Sequence, residues 1–502
     1  MTKTGSEARK LAHGMGILVL LFFVSRGLVS VSVFFLTRFL SLASFGNVVL
    51  ARNLVDLIFV LFNVGLPYAF VRYFSECHAD PKRLYGTTII PVCVFNALGA
   101  VIILSMHGWF GHLFHLDAEF NQCMICVAFI AIFQTFSQLV LLDFQARENF
   151  KGYLVAQTTV TVGTLIPMVL AGYFLRTATG AMAGLLLGYV LTAIPFAPAI
   201  RARLGGLHEF DLSLLKRMLG FGIPLLLTNV SYLAVSFSDR FVIEYFKGIR
   251  EVAVYAVPGY LCAALAMMFT APINSALAPQ VFRLHREGRN EEIGRLVRGS
   301  FRLYLLAVPL ALFGIIATSP YLARLLGKKE LMEGLKVLPW MGPAFALFIL
   351  YSIANVILSE HGRTGVIGIA FIVACVTNIG MNIVLVPRLG YMGAAYSSFV
   401  SYCLIFTITY VAASRYCRLD RRVWLVAPLW ILLLSLQTRW TASHPGALGS
   451  FLVAAAVSAI YLGAAGILRI IHISDILVLW KVLKNFRNKQ FDANQPVLVE
   501  NA

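Results

Sequence analysis

Apolar residues in this chain come in long blocks separated by short polar stretches, and block length decides the class of structure. Runs such as Ile17–Val24, Val160–Leu175 and Leu303–Ala317 contain no charged residue, and the longer two outlast what a buried strand needs. A bilayer core about 30 Å thick takes about 20 residues of helix, and only helices or closed barrels satisfy the backbone there. Barrel strands alternate apolar and polar positions, and these blocks do not. The pattern predicts an all-α polytopic membrane protein with about fourteen (12 to 14) transmembrane helices. They fall at 15–37, 47–71, 86–106, 122–143, 153–175, 180–200, 219–243, 253–276, 300–319, 337–358, 364–386, 393–413, 424–438 and 448–469. The thirteenth is the weakest, because its apolar run, Trp424 to Gln437, is short.

Composition agrees with the pattern. Hydrophobic residues make up 59% of the 502, charged residues 13%, and the mean hydropathy is +0.81. A soluble domain carries about 25% charged residues, so this chain lacks the means to cover itself against water. The net charge of +18 would suit a nucleic-acid partner, but the basic residues sit in short inter-helix loops rather than on one soluble face. That distribution orients a membrane protein, and no nucleic-acid partner is expected. Most Lys and Arg fall on one set of alternate loops, which predicts both termini on the cytoplasmic side. The outer connection Arg324–Lys336 dissents from that bias.

The same pass divides the chain into a cytoplasmic N-terminus at 1–14, a six-helix bundle at 15–200, a basic cytoplasmic linker at 201–218 and a second six-helix bundle at 219–413. An extra transmembrane pair follows at 424–469, then an amphipathic interfacial helix at 470–491 and a tail at 492–502 with little to order it. In that helix Ile473, Leu477, Trp480 and Leu483 oppose Lys481, Lys484 and Arg487 at helical spacing, as a helix lying on an anionic leaflet requires. A faint repeat supports two halves. Arg176-Thr-Ala-Thr-Gly180 leads into the sixth span much as Arg388-Leu-Gly390-Tyr-Met-Gly393 leads into the twelfth. Many secondary transporters are built from such repeats, with the substrate path between them.

Ionisable and amide groups inside spans carry the chemistry, since each charge costs from about 2.5 kcal/mol upward at a helix centre. Arg26 lies mid-way along the first span. Arg52 and Asp56 are four residues apart in the second and share a face with Asn63. They line a water-filled cavity, or they are an ion pair that locks helices together. The seventh span carries a stripe of Asn229, Tyr232, Ser236, Asp239 and Arg240, and later spans add Asn355, Asn378 and Asn382. Single amides are common helix–helix glue; this many, with arginines in the first half, point to a polar lining. Asp239 and Arg240 fit that lining or a structural cap on their helix equally well.

Other chemistries find no support. Gly327-Lys-Lys-Glu does not complete a phosphate loop, and no paired metal-ligand cluster or HExxH occurs. Cys123-Met-Ile-Cys126 has redox spacing but no second pair or histidine beside it, so these are small residues of a membrane helix. No metal and no cofactor are expected. Energy would come from a proton or sodium gradient, the membrane potential or the substrate's own gradient.

Several stretches resemble the bacterial polysaccharide-export flippases. They are Arg38-Phe-Leu-Ser-Leu-Ala-Ser-Phe-Gly46, Gly65-Leu-Pro-Tyr-Ala-Phe-Val-Arg72-Tyr, Gly222-Ile-Pro224, and Ser238-Asp239-Arg240-Phe-Val-Ile followed by Val254-Tyr255-Ala256. Val386-Pro387-Arg388-Leu-Gly390-Tyr-Met-Gly393-Ala394-Ala395 completes a resemblance running from about 15 to 415. It implies the multidrug/oligosaccharidyl-lipid/polysaccharide exporter superfamily, with a MATE-like fold of two pseudo-symmetric six-helix bundles around a cavity that opens alternately to each side.

That resemblance implies a flippase for an undecaprenyl-pyrophosphate-linked oligosaccharide in the bacterial cytoplasmic membrane, not an enzyme. Arg26, Arg52 and Arg240 would neutralise the pyrophosphate or acidic sugars, since arginine forks match phosphate oxygens. Asp56 would hold Arg52 or take a coupling proton, with Asp239 the other candidate for a coupling or structural role. Asn63, Asn229, Asn355, Asn378 and Asn382 would line the sugar path. Expected partners are the lipid-linked oligosaccharide, membrane lipids, and polysaccharide polymerase and chain-length proteins. The alternatives are a cation- or drug-extruding antiporter of the same fold and a membrane-embedded enzyme of polysaccharide assembly.

Overall fold

The computed structural model describes residues 32–74, 81–113, 117–147, 149–196, 198, 209–328, 330–417, 423–443 and 447–467. Expectations placed on the N-terminus at 1–14, on Arg26 and the start of the first span, on most of the linker at 201–208, on the helix at 470–491 and on the tail lie outside these residues.

A helical stretch at 32–39 precedes sixteen α-helices, and there is no strand among the described residues. The first group is α1 (Leu42–Asn63), α2 (Leu66–Phe74), α3 (Pro81–Leu113), α4 (Ala118–Ala146), α5 (Phe150–Leu175) and α6 (Ala178–Ala193). The second is α7 (Leu212–Lys247), α8 (Ile249–Pro272), α9 (Ala278–Arg286), α10 (Asn290–Leu325), α11 (Glu330–Gly334), α12 (Leu338–Glu360), α13 (Thr364–Leu389) and α14 (Tyr391–Ala413). Helices α15 (Val423–Ser443) and α16 (Ala447–Ile467) follow. Twelve helical segments among the described residues are long and apolar enough to cross a membrane. Large apolar side chains point outward from them: Phe174 is 74% and Val376 68% exposed, a surface suited to lipid rather than water.

One packing scheme occurs twice. In the first group α4 packs on α1 and α6, and α5 on α6; in the second α12 packs on α8 and α14, and α13 on α14. The Arg176 and Arg388 stretches occupy the corresponding connections, α5 to α6 and α13 to α14. Each turns through a left-handed or glycine-dependent residue, Arg176 (φ 54°) and Gly390 (φ 60°).

Helix α15, the weak thirteenth span, is not among the twelve segments but is firmly seated. Its Trp430 is 1% exposed and its buried Gln437 donates to the Phe313 carbonyl at 2.8 Å. Tyr461 of α16 donates in turn to the Leu305 carbonyl, so both helices rest on α10.

Three elements differ from the hydropathy reading. The second span is interrupted: α1 ends at Asn63, Val64 and Gly65 adopt positive φ (50° and 71°), and α2 restarts at Leu66. Helices α7 and α10 each run 36 residues, well past the apolar windows at 219–243 and 300–319. Helices need not stop where the lipid does, and Lys216, Arg217, Glu291 and Glu292 continue them in polar sequence.

Candidate functional site

The two groups meet along a seam made by α1 and α2 against α7 and α8. At one end a Cβ on Gly46 would stand 2.5 Å from the Ile249 carbonyl oxygen. At the other a Cβ on Gly65 would stand 2.2 Å from the Gly222 carbonyl oxygen. Gly65 therefore meets backbone alone, whereas Gly46 meets the Ile249 carbonyl together with its side chain, whose Cγ1 would stand 2.8 Å away. Val64 is β-branched, and its left-handed φ of 50° is strained, a feature that concentrates at moving or binding segments.

Just inside the Gly65–Gly222 crossing lies a narrow crevice whose polar lining is Asn63, Tyr68, Gln138 and Asn229. Asn63 Nδ2 donates to the Phe59 carbonyl at 2.6 Å and to Thr135 Oγ1 at 3.1 Å. Its Oδ1 is buried without a hydrogen-bond partner among the described residues. Thr135 also bonds Asn96 Oδ1 at 3.2 Å, extending the polar chain into α3. Asn229 Nδ2 satisfies the Leu225 carbonyl of its own helix at 2.9 Å, leaving Oδ1 to face other partners.

Arg52 and Asp56 sit inside the first group, both partly exposed. Arg52 Nη1 lies 3.8 Å from Met168 Sδ of α5, and Asp56 Oδ1 accepts from Gln134 Nε2 at 3.4 Å. Tyr189 of α6 is within electrostatic reach of both. The two share a helix face, as the spacing required, and each reaches a different neighbouring helix, α5 and α4.

Asp239 and Arg240 are nearly fully buried within the second group and do not line the crevice. Asp239 Oδ1 accepts from the Arg240 backbone N–H at 2.8 Å, and Oδ2 accepts from the Tyr255 hydroxyl, with Ser398 Oγ at 3.5 Å. Arg240 Nη1 donates to the Ser236 carbonyl at 2.6 Å and lies 3.7 Å from Asp239 Oδ1. Its guanidinium is ringed by Phe237, Tyr255 and Tyr260. A structural knot joining α7, α8 and α14 describes this geometry.

The later amides behave alike. Asn378 and Asn382 are 0% exposed; Asn378 Oδ1 accepts from Ser238 Oγ at 2.9 Å and from Asn382 Nδ2 at 3.0 Å, tying α13 to α7. Asn355 of α12 is partly exposed and accepts from Ser359 at 3.4 Å. Of the expected lining, the structure brings Asn63 and Asn229 together across the seam and keeps Arg240, Asn378 and Asn382 inside the second group.

Sequence reading overlooked Gln134 and Gln138, four residues apart on α4, and Tyr68 and Tyr189. The i, i+4 glutamine pair was the available signal. It also missed a clasp between the groups: Lys328 donates to the Thr37 and Leu40 carbonyls.

The family described as polysaccharide biosynthesis protein matches residues 35–331. A Shigella flexneri protein named as an O-antigen transporter is 23% identical over 379 residues, covering 72% of this chain and 88% of its own length. Among solved structures, the lipid II flippase MurJ in an inward closed conformation superposes with a TM-score of 0.68 at 13% identity, covering 90% of this chain and 99% of its own. An inward-facing multidrug resistance MATE family transporter of the MOP superfamily reaches 0.63 at 16% identity, covering 78% and 95%. These likenesses establish the MATE-like fold.

Proposed function

The chain belongs to the polysaccharide biosynthesis protein family, and from that premise we propose that it is a flippase for a lipid-linked oligosaccharide. The substrate is an undecaprenyl-pyrophosphate-linked unit, turned over in the bacterial cytoplasmic membrane by alternating access, with both termini cytoplasmic. The observation that carries this reading is the seam, where two groups of matching packing meet through a close glycine contact at each end with amides of both groups between. Opening one crossing while the other stays closed would expose that polar interior to one side at a time.

Arg52 supplies positive charge for a diphosphate, and Asp56 is the candidate to position it or to take a coupling proton. Asn63, Gln138 and Asn229 offer hydrogen bonds to sugar hydroxyls. Energy comes from an ion gradient or the membrane potential, and no catalytic step is assigned to the chain. The relative's name, O-antigen transporter, supports a sugar-bearing cargo.

The test is the amount of lipid-linked oligosaccharide on the inner leaflet of a strain lacking this chain. Accumulation relieved by the wild-type copy supports flipping. Normal lipid-linked sugars with raised sensitivity to cationic drugs would overturn it in favour of an antiporter.

A further inference from the structure

A second cavity, of about 650 Å³, lies in the second group at the end away from Lys328, between α9, the start of α10, the end of α12 and residues 415–417. Its floor is apolar and buried: Val281, Ile293 and Ile357. Its rim carries Arg295, Arg298 and Arg415.

Nearby arginines are already neutralised. Arg289 bonds Glu287 and Glu292 at 2.8 and 2.7 Å, and Arg283 lies 3.9 Å from Glu287. By contrast Arg295, Arg298 and Arg415 form no ion pair or side-chain hydrogen bond among the described residues. One carboxylate, Glu291, shares the lining, so the cavity holds an excess of guanidinium charge. The first turn of α10 also opens onto it; its dipole is met by Glu291 and Glu292, with Glu292 already held by Arg289 at 2.7 Å. His361 is fixed by a 2.9 Å bond from Nδ1 to the Ile357 carbonyl and packs 4.2 Å from the Tyr416 ring. His285 Nδ1 is buried with no hydrogen-bond partner among the described residues, while its Nε2 lies 3.9 Å from Glu360 Oε1.

We propose that this cavity binds a phosphate or diphosphate headgroup, held by the three arginines, with the apolar floor receiving the first carbons of an attached chain. Unpaired guanidinia beside a buried apolar floor match an amphiphile whose charged group lies at the membrane surface. Two sources carry that chemistry, an anionic phospholipid and a diphosphate-bearing carrier. The site is separate from the seam and stands whether or not the chain flips a sugar.

Full-length protein would be purified in detergent and its thermal melting followed against inorganic pyrophosphate, phosphatidylglycerol and phosphatidylcholine. Wild type and Arg289→Gln should be stabilised by pyrophosphate or phosphatidylglycerol but not phosphatidylcholine. Arg298→Gln and, independently, the exposed-site variant Arg415→Gln should need roughly tenfold more ligand for the same shift. A response to pyrophosphate shows that the diphosphate group suffices; a response to phosphatidylglycerol alone assigns the site to a lipid-borne phosphate. Equal responses in all four proteins, or none to either anion, overturn the proposal.

Discussion

Arg38 and Leu325 end helices of different groups, and the Arg38 guanidinium donates a 3.1 Å hydrogen bond to the Leu325 carbonyl. Lys328 reciprocates by donating to the Thr37 and Leu40 carbonyls. Each helix C-terminus exposes carbonyls with no partner of their own, and a cation there also meets the negative end of the helix dipole. The clasp thus closes the seam beyond Gly46 by satisfying both helix ends at once.

Lys328→Met should loosen that closure by on the order of 1 kcal/mol. A cysteine placed at Ser41 would then react several-fold faster with an impermeant maleimide than in an otherwise wild-type chain. Unchanged labelling would show that Lys328 does not hold the end shut.

At the opposite crossing, Gly65→Ala adds a methyl where the Gly222 carbonyl oxygen stands 2.2 Å away, at a backbone φ of 71°. The strain alone is about 1 kcal/mol, and the clash cannot relax without parting α2 from α7. Export should fall at least tenfold with normal amounts of inserted protein, measured by complementation and immunoblot. A fully active variant would mean that this crossing is not required.

Asp239→Ala should act on stability. It strips the counter-charge from an Arg240 that is 7% exposed, a loss of about 3–5 kcal/mol for a buried pair. The melting temperature in detergent should drop sharply, whereas replacing both residues with Met should recover much of it. Normal melting of the single variant with lost export would instead assign the pair a transport role.

Arg52→Ala tests the opposite behaviour. Arg52 is only partly buried and has a soft sulfur neighbour, so its removal should leave protein levels and melting near wild type while lipid-linked oligosaccharide accumulates. Loss of the protein would mean that Arg52 is structural.

The helices were legible because block length alone separates membrane spans from other elements, and the Arg176 and Arg388 stretches announced equivalent turns. The break at Val64–Gly65 was not, because the 47–71 block is mostly apolar and its hydropathy runs through Asn63 and Gly65 without a gap. Spacing placed Asn378 and Asn382 on one face but could not say that this face meets Ser238 of α7 rather than a cavity. Lys328 stood out only as a basic residue on the wrong side of the charge bias; its role as a carbonyl cap depends on where the 32–39 helix ends.

The crossing of Gly65 and Gly222 is a backbone contact with side chains of both helices beside it, among them Arg72 over the Phe221 ring at 4.4 Å. A slip of α2 along α7 by one residue would set a side chain where only a glycine fits, so the two glycines fix the register of the helices. Under the proposed function, selection among sugars then falls to the amides of the crevice, Asn63, Gln138 and Asn229, and the glycines serve only to hold the two helices in place.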